Sequence, residues 1–101
     1  MNYSINPTEL YQLIHQDAIF IDIRETQQFN DLHIKNFINI PYAQFTLNMP
    51  LFPKNKPLYI LCNLGQQAKQ LVTQLRQQNY QAFYIDGGFQ AFLNIPSSKY
   101  Y

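Results

Sequence analysis

Cysteine is nearly absent from this chain: among 101 residues there is one, Cys62, and only two histidines, His15 and His33. One thiol excludes an intramolecular disulfide, and a lone Cys with two His cannot complete a four-ligand structural zinc site. No metal and no cofactor is therefore expected, and a reducing, cytoplasmic setting is the simplest assumption. Charge is scarce as well. Asp, Glu, Lys and Arg make up 13% of the residues and the formal net charge is +1, so no field gathers phosphates, and nucleic acid is excluded as an expected partner. No apolar run is long enough to span a bilayer, and Met1-Asn2-Tyr3-Ser4 has no basic patch leading into an apolar stretch. Neither a membrane contact nor a targeting segment is expected.

What is present suits one packed globule. The chain is 47% hydrophobic and 16% aromatic, enough to offset ordering entropy, and its length allows one core but not two. Residues 1–101 are expected to form one domain, a monomer, with a loose tail from about residue 96. Asn and Gln, as in Gln66-Gln67 and Gln77-Gln78-Asn79, make the surface polar without charge and carry no functional signal.

Strand-like and helix-like segments alternate, without internal repeats. Asn6 before Pro7 and Glu9 is a helix start, with Leu10, Leu13 and Ile14 as the buried stripe. Ala18 to Ile23 is short, continuously apolar and branched, as a strand covered on both faces should be. Glu25 to Leu32 reads as a short helix with Phe29 turned inward, and Phe37 to Ile40 as a strand ended by Pro41. Pro50, Pro53 and Pro57 break any period between Tyr42 and Pro57, leaving a helical turn and a loop. Leu58 to Leu61 is a strand running directly into Cys62. Ala68, Leu71, Val72 and Leu75 then define a helix over residues 66–78. A last strand, Ala82 to Ile85, stops at Asp86-Gly87-Gly88 before one or two helical turns at residues 89–93. This alternation implies an α/β fold, a mostly parallel central sheet with helices on both faces, because parallel neighbours need crossovers. In such sheets ligands bind at the carboxyl ends of the strands.

Cys62 sits at such an end, with Asn63, Leu64, Gly65, Gln66, Gln67 and Ala68 leading into the next helix. Amides opening a helix lack intrahelical partners and lie at the positive end of its dipole, which favours thiolate over thiol. Gly65 supplies the backbone freedom needed to curl amides around one sulfur. The plain alternative is a small buried residue finishing a core strand, the usual fate of a lone cysteine. Position alone leaves both readings open.

Three blocks of sequence, taken in order, resemble the rhodanese-like domains over nearly the whole chain. The first is Asp22-Ile23-Arg24-Glu25, then Phe29, His33-Ile34 and Ile38-Asn39-Ile40-Pro41. The second is Tyr59-Ile60-Leu61-Cys62 with Gly65 and an amphipathic helix after it; the third is Tyr80, Ile85-Asp86-Gly87-Gly88 and Phe92. The resemblance implies a sulfurtransferase in which the Cys62 thiolate takes the outer sulfur of a donor, thiosulfate or a protein or small-molecule persulfide. A thiol acceptor then removes it. The amides of Leu64 through Ala68 would cradle both sulfur anions.

Many active members carry Arg at the sixth loop position and Ser after it, where this chain has Gln67 and Ala68. Arg pairs a dianion in bidentate fashion and Gln does not, so thiosulfate is expected to bind weakly. Lys69 is the nearest cation in sequence, with no defined direction. Asp22 and Arg24 could be read as an acid and an anion clamp but are expected to form a structural ion pair or turn contact, and His33 to fix a loop through a backbone bond rather than shuttle protons. The Gly87-Gly88 pair is read as a tight turn.

Three other functions compete. A catalytically silent binding or regulatory module fits the missing Arg and is opposed by Cys62 and Gly65. A related cysteine phosphatase needs an Arg to hold the phosphoryl group and a longer loop. A disulfide-exchanging thiol has no resolving cysteine within the chain.

Overall fold

A computed structural model describes residues 2–47, 49–95 and 101. Five strands, β1 (Ser4–Ile5), β2 (Ile19–Asp22), β3 (Ile38–Asn39), β4 (Leu58–Leu61) and β5 (Ala82–Ile85), alternate with five helices. The helices are α1 (Pro7–Leu13), α2 (Thr26–Asp31), α3 (Tyr42–Leu47), α4 (Gln66–Gln77) and α5 (Gly88–Phe92). The strands form one sheet in the order β1-β5-β4-β2-β3, and every pairing is parallel. The expected α/β architecture is therefore the observed one, with one strand added. β1 pairs through Ser4 with Tyr84 and through Ile5 with Ile85 at the sheet edge, and two residues carry no readable period.

Local chemistry explains the elements. The Asn6 carboxamide oxygen accepts the Thr8 N–H at 3.0 Å and Pro7 occupies the first turn, so α1 starts where its sequence says it should. In α4, Ala68, Leu71, Val72 and Leu75 are all buried, one face of a 3.6-residue period pressed on the sheet. β4 is buried along its whole length and lies at the middle of the sheet, with β2 beside it.

Side chains on a strand alternate between faces, which divides the core in two. Ile21 and Ile23, then Leu58, Ile60 and Cys62, meet the α4 stripe and Phe45 of α3 on one face. Phe20, Tyr59, Leu61 and Ile85 meet Leu10 and Ile14 beside α5 residues Phe89 and Phe92 on the other. The parity of β4 thus turns Cys62 toward α4. Of the tail expected to be loose, residues 96–100 lie outside those described, and the Tyr101 ring packs edge-on against Phe89 with centroids 6.3 Å apart. No helix among the described residues is long and apolar enough to cross a membrane.

Tyr59 is stacked between Phe20 and Phe83, with ring centroids at 5.3 and 5.5 Å. Burial raises its phenol above the usual tyrosine value of 10.0, because phenolate is disfavoured away from water. The folded-state value lies above the unfolded one, so this contribution to stability is complete below pH 10.0 and is lost as pH rises through the folded value. Tyr59→Phe is accordingly expected to unfold less steeply with alkali than the parent, measured as urea midpoints on either side of the tyrosine range. Parallel alkaline curves for the two proteins would contradict this.

Candidate active site

The chain leaves β2 for β3 toward one sheet edge and β4 for β5 toward the other, so the carboxyl ends of β2 and β4 flank the switch in strand order. Cys62 emerges there, one residue past β4. Cys62 is buried, with only 3% of its surface accessible. The sulfur accepts two backbone hydrogen bonds, from the Gly65 N–H at 3.0 Å and from the Ala68 N–H at 3.3 Å. Gly65 has φ +99°, in the left-handed region that an L side chain resists, and this reversal aims its amide back at Cys62. Ala68 belongs to the first turn of α4, whose dipole adds positive potential at the sulfur.

The plain and the chemical readings of Cys62 therefore describe the same residue. It belongs to the core cluster of the α4 face, yet two amides hold its sulfur. Of the cradle expected from Leu64 through Ala68, Gly65 and Ala68 reach the sulfur. The amides of Leu64, Gln66 and Gln67 have no backbone acceptor among the described residues. Asn63, Leu64, Gln66 and Gln67 join Cys62 in lining a depression of about 300 Å³. Leu64, 66% exposed, is its apolar rim.

Asp22 and Arg24 form a buried ion pair rather than an open anion clamp. The Arg24 Nε lies 3.1 and 3.0 Å from the two Asp22 carboxylate oxygens, and Nη2 lies 2.9 Å from Oδ2. The Arg24 N–H donates to the same carboxylate, and Nη2 also donates to the Leu32 carbonyl at 2.7 Å. The guanidinium rests 3.8 Å above the centre of the Phe89 ring. His33 is exposed, stacks on Phe29 with centroids 4.0 Å apart, and its Nδ1 lies 2.9 Å from the Phe29 carbonyl oxygen. That contact fits the loop-fixing role, and His33 is not among the residues lining the Cys62 depression. Lys69 turns instead to a larger cavity of about 500 Å³ walled by Tyr3, Val72, Tyr84 and Asp86, which holds no cysteine.

The brace behind Cys62 was not foreseen from the sequence. The Phe89 N–H donates to the Cys62 carbonyl at 2.7 Å, and the Gln90 N–H to the Asn63 carbonyl at 3.1 Å. The start of α5 thus grips the peptide on which the Cys62 sulfur is mounted. A Cβ on Gly88 would lie 2.4 Å from that same carbonyl oxygen, so Gly88 serves a close backbone approach besides the turn. A second glycine beyond what one turn needs was the available signal.

A parallel sheet carrying one cysteine at the end of its central strand, with the sulfur held by amides of a loop entering a helix, defines a class of thiol-bearing α/β domains. The chain belongs to the rhodanese-like domain family, whose profile matches residues 6–95. It is 27% identical over 89 residues to "Thiosulfate sulfurtransferase GlpE" of Haemophilus influenzae, covering 87% of this chain and 85% of that protein. It is 25% identical over 100 residues to "Adenylyltransferase and sulfurtransferase UBA4" of Yarrowia lipolytica, covering 97% of this chain but only 25% of that protein's length. Among solved structures, a rhodanese-related protein from Thermoplasma volcanium superposes with a TM-score of 0.83 at 26% identity, over 92% of each chain.

Proposed function

We propose that this chain is a sulfurtransferase that carries sulfane sulfur as a persulfide on Cys62 and passes it to a thiol or another nucleophile. The observation that carries the reading is the pair of loop amides, Gly65 and Ala68, donating to Cys62 Sγ at the end of the central strand. The family and the sulfurtransferase names of its relatives support it.

In the first step the Cys62 thiolate attacks the outer sulfur of the donor. The donor S–S bond breaks, its electron pair leaves on the donor's inner sulfur, and Cys62 becomes a persulfide anion. In the second step an acceptor thiolate attacks the outer persulfide sulfur, the Cys62 S–S bond breaks, and the Cys62 thiolate is restored. Negative charge stays on sulfur throughout, and fixed amide dipoles suit it without reorganisation. The amides of Leu64, Gln66 and Gln67 are available to the additional sulfur atom. With Gln67 in the loop and Lys69 turned away, no cationic side chain among the described residues lines the Cys62 depression to meet a thiosulfate dianion, so a persulfide is the better donor.

The near-complete burial of Cys62 favours a second reading, a rhodanese-like recognition module without transfer activity. Intact mass separates the two. Reduced protein incubated with a persulfide donor is expected to become heavier by one sulfur atom and to lose it to excess thiol, while Cys62→Ser stays unmodified. A parent protein left unmodified by thiosulfate and by every persulfide would establish the module instead.

A further inference from the structure

The depression beside Cys62 continues past the loop. Asn63 and Gln67 line both it and a second depression of about 420 Å³ whose other polar walls include Arg24, Glu25, Gln28 and Tyr42. The second depression touches the chain just after β2 and just after β4, in the crevice where open parallel sheets receive ligands. Each is of a size that small molecules occupy, about 300–1,000 Å³.

Its charge is one-sided. Arg24 contributes no free cation, because its guanidinium is bidentate to Asp22, bonded to the Leu32 carbonyl and stacked on Phe89. Glu25, by contrast, is exposed, makes no side-chain hydrogen bond to the start of α2, and forms no ion pair among the described residues. Among the described residues no Lys lines either depression, and Lys69 faces elsewhere. The chamber therefore offers anion-holding amides at the sulfur, neutral carboxamides between, and one free carboxylate on the far wall.

We infer that this crevice selects the sulfur donor by charge, taking the persulfide of an aminothiol whose protonated amine faces Glu25. This rests on the sulfurtransferase reading and names the donor class for it. The ligand is dipolar, R–S–S⁻ at one end and ammonium at the other, and the crevice is dipolar in the matching sense. During transfer the Cys62 thiolate bonds to the donor's outer sulfur, the donor S–S bond breaks, and the aminothiolate departs with the electron pair. Thiosulfate, and persulfides bearing a carboxylate, meet the same wall with the wrong sign.

The test compares persulfides of 2-aminoethanethiol, 2-mercaptoethanol and 3-mercaptopropionate as donors to the intact protein. Persulfidation of Cys62 is followed by quenched mass measurement, each rate divided by that donor's rate with a small neutral thiol. The aminothiol is expected to lead and the carboxylate to trail, by roughly 5- to 10-fold between them at low ionic strength, narrowing with salt. Glu25→Gln should bring that ratio close to one, Glu25→Lys should invert it, and Glu25→Asp should keep most of it. Equal normalised rates in the parent protein, or a charge order that survives in Glu25→Gln, would overturn the inference while leaving the sulfurtransferase reading in place. Cys62 unmodified by all three donors would overturn that reading and this one together.

Discussion

Gly88→Ala is expected to destabilise the domain by about 3–5 kcal/mol and to disable Cys62, although the side chain added is a single methyl. The methyl carbon would lie 2.4 Å from the Cys62 carbonyl oxygen and 2.6 Å from the Asn63 carbonyl carbon and oxygen. All three are backbone atoms with no rotamer to move into. Either α5 lifts or the Cys62–Asn63 peptide shifts, and both break the bonds from the Phe89 and Gln90 amides at 2.7 and 3.1 Å. Each bond contributes about 1 kcal/mol net, and holding an L residue at φ +65° costs about 1–2 kcal/mol more. Gly87→Ala supplies the control. Gly87 is also left-handed, at φ +74°, but its Cβ would meet only the Ala91 side chain at 3.1 Å. It should cost about 1–2 kcal/mol, chiefly the backbone term. Urea midpoints at unchanged m-value measure both, and near-equal losses for the two variants would refute the close-approach argument.

That contrast also marks where sequence reasoning stops. β2, β4 and α4 were readable because each carries its own evidence: continuous branched runs in the strands, and Ala68, Leu71, Val72 and Leu75 at helical spacing. β1 was not, because Ser4 and Ile5 are ordered by partners eighty positions along, Tyr84 and Ile85. The Tyr84 N–H donates to the Tyr3 carbonyl and the Asp86 N–H to the Ile5 carbonyl, contacts that no local pattern announces. α3 lies in a segment crowded by prolines, where a helical turn was expected without defined bounds, and Phe45 is its buried anchor among the described residues.

At the site, the same division holds. An apolar strand running into a cysteine, followed by a glycine and an amphipathic helix, placed Cys62 at the mouth of a helix. Which amides reach the sulfur depends on one torsion, φ +99° at Gly65, at a position where a Cβ would come within 3.2 Å of the Gly87 nitrogen. Asp22 and Arg24 were readable as a pair because they lie two positions apart at a strand end. The third partner, Phe89, is contributed by an element sixty-odd residues later, and this stacking links the ion pair to the helix that grips Cys62.

That link makes Asp22 the second position of large effect. Asp22 is fully buried and Arg24 is 6% exposed, so Asp22→Ala leaves a guanidinium largely out of water without its anionic partner, next to the Leu32 carbonyl and the Phe89 ring. Breaking a buried pair from one side costs about 3–5 kcal/mol, which for a domain of this size lowers Tm by roughly 15–30 °C. Removing both charges is a different matter. Asp22→Leu with Arg24→Met deletes the stranded cation along with its partner, and the double variant is expected to recover a substantial part of the loss. Recovery stays incomplete, since the Arg24 N–H still loses its carboxylate acceptor at 2.9 Å. Calorimetry gives the stabilities, and amide hydrogen exchange at Phe89 reports the consequence for the site. With no carboxylate left to fix Arg24 against the Phe89 ring, that amide should exchange faster in Asp22→Ala relative to amides of α4, because the brace on Cys62 opens before the rest of the fold. A single variant that loses less than about 1 kcal/mol would mean that Arg24 escapes to solvent, and that the pair neither stiffens the sheet end nor steadies the cysteine.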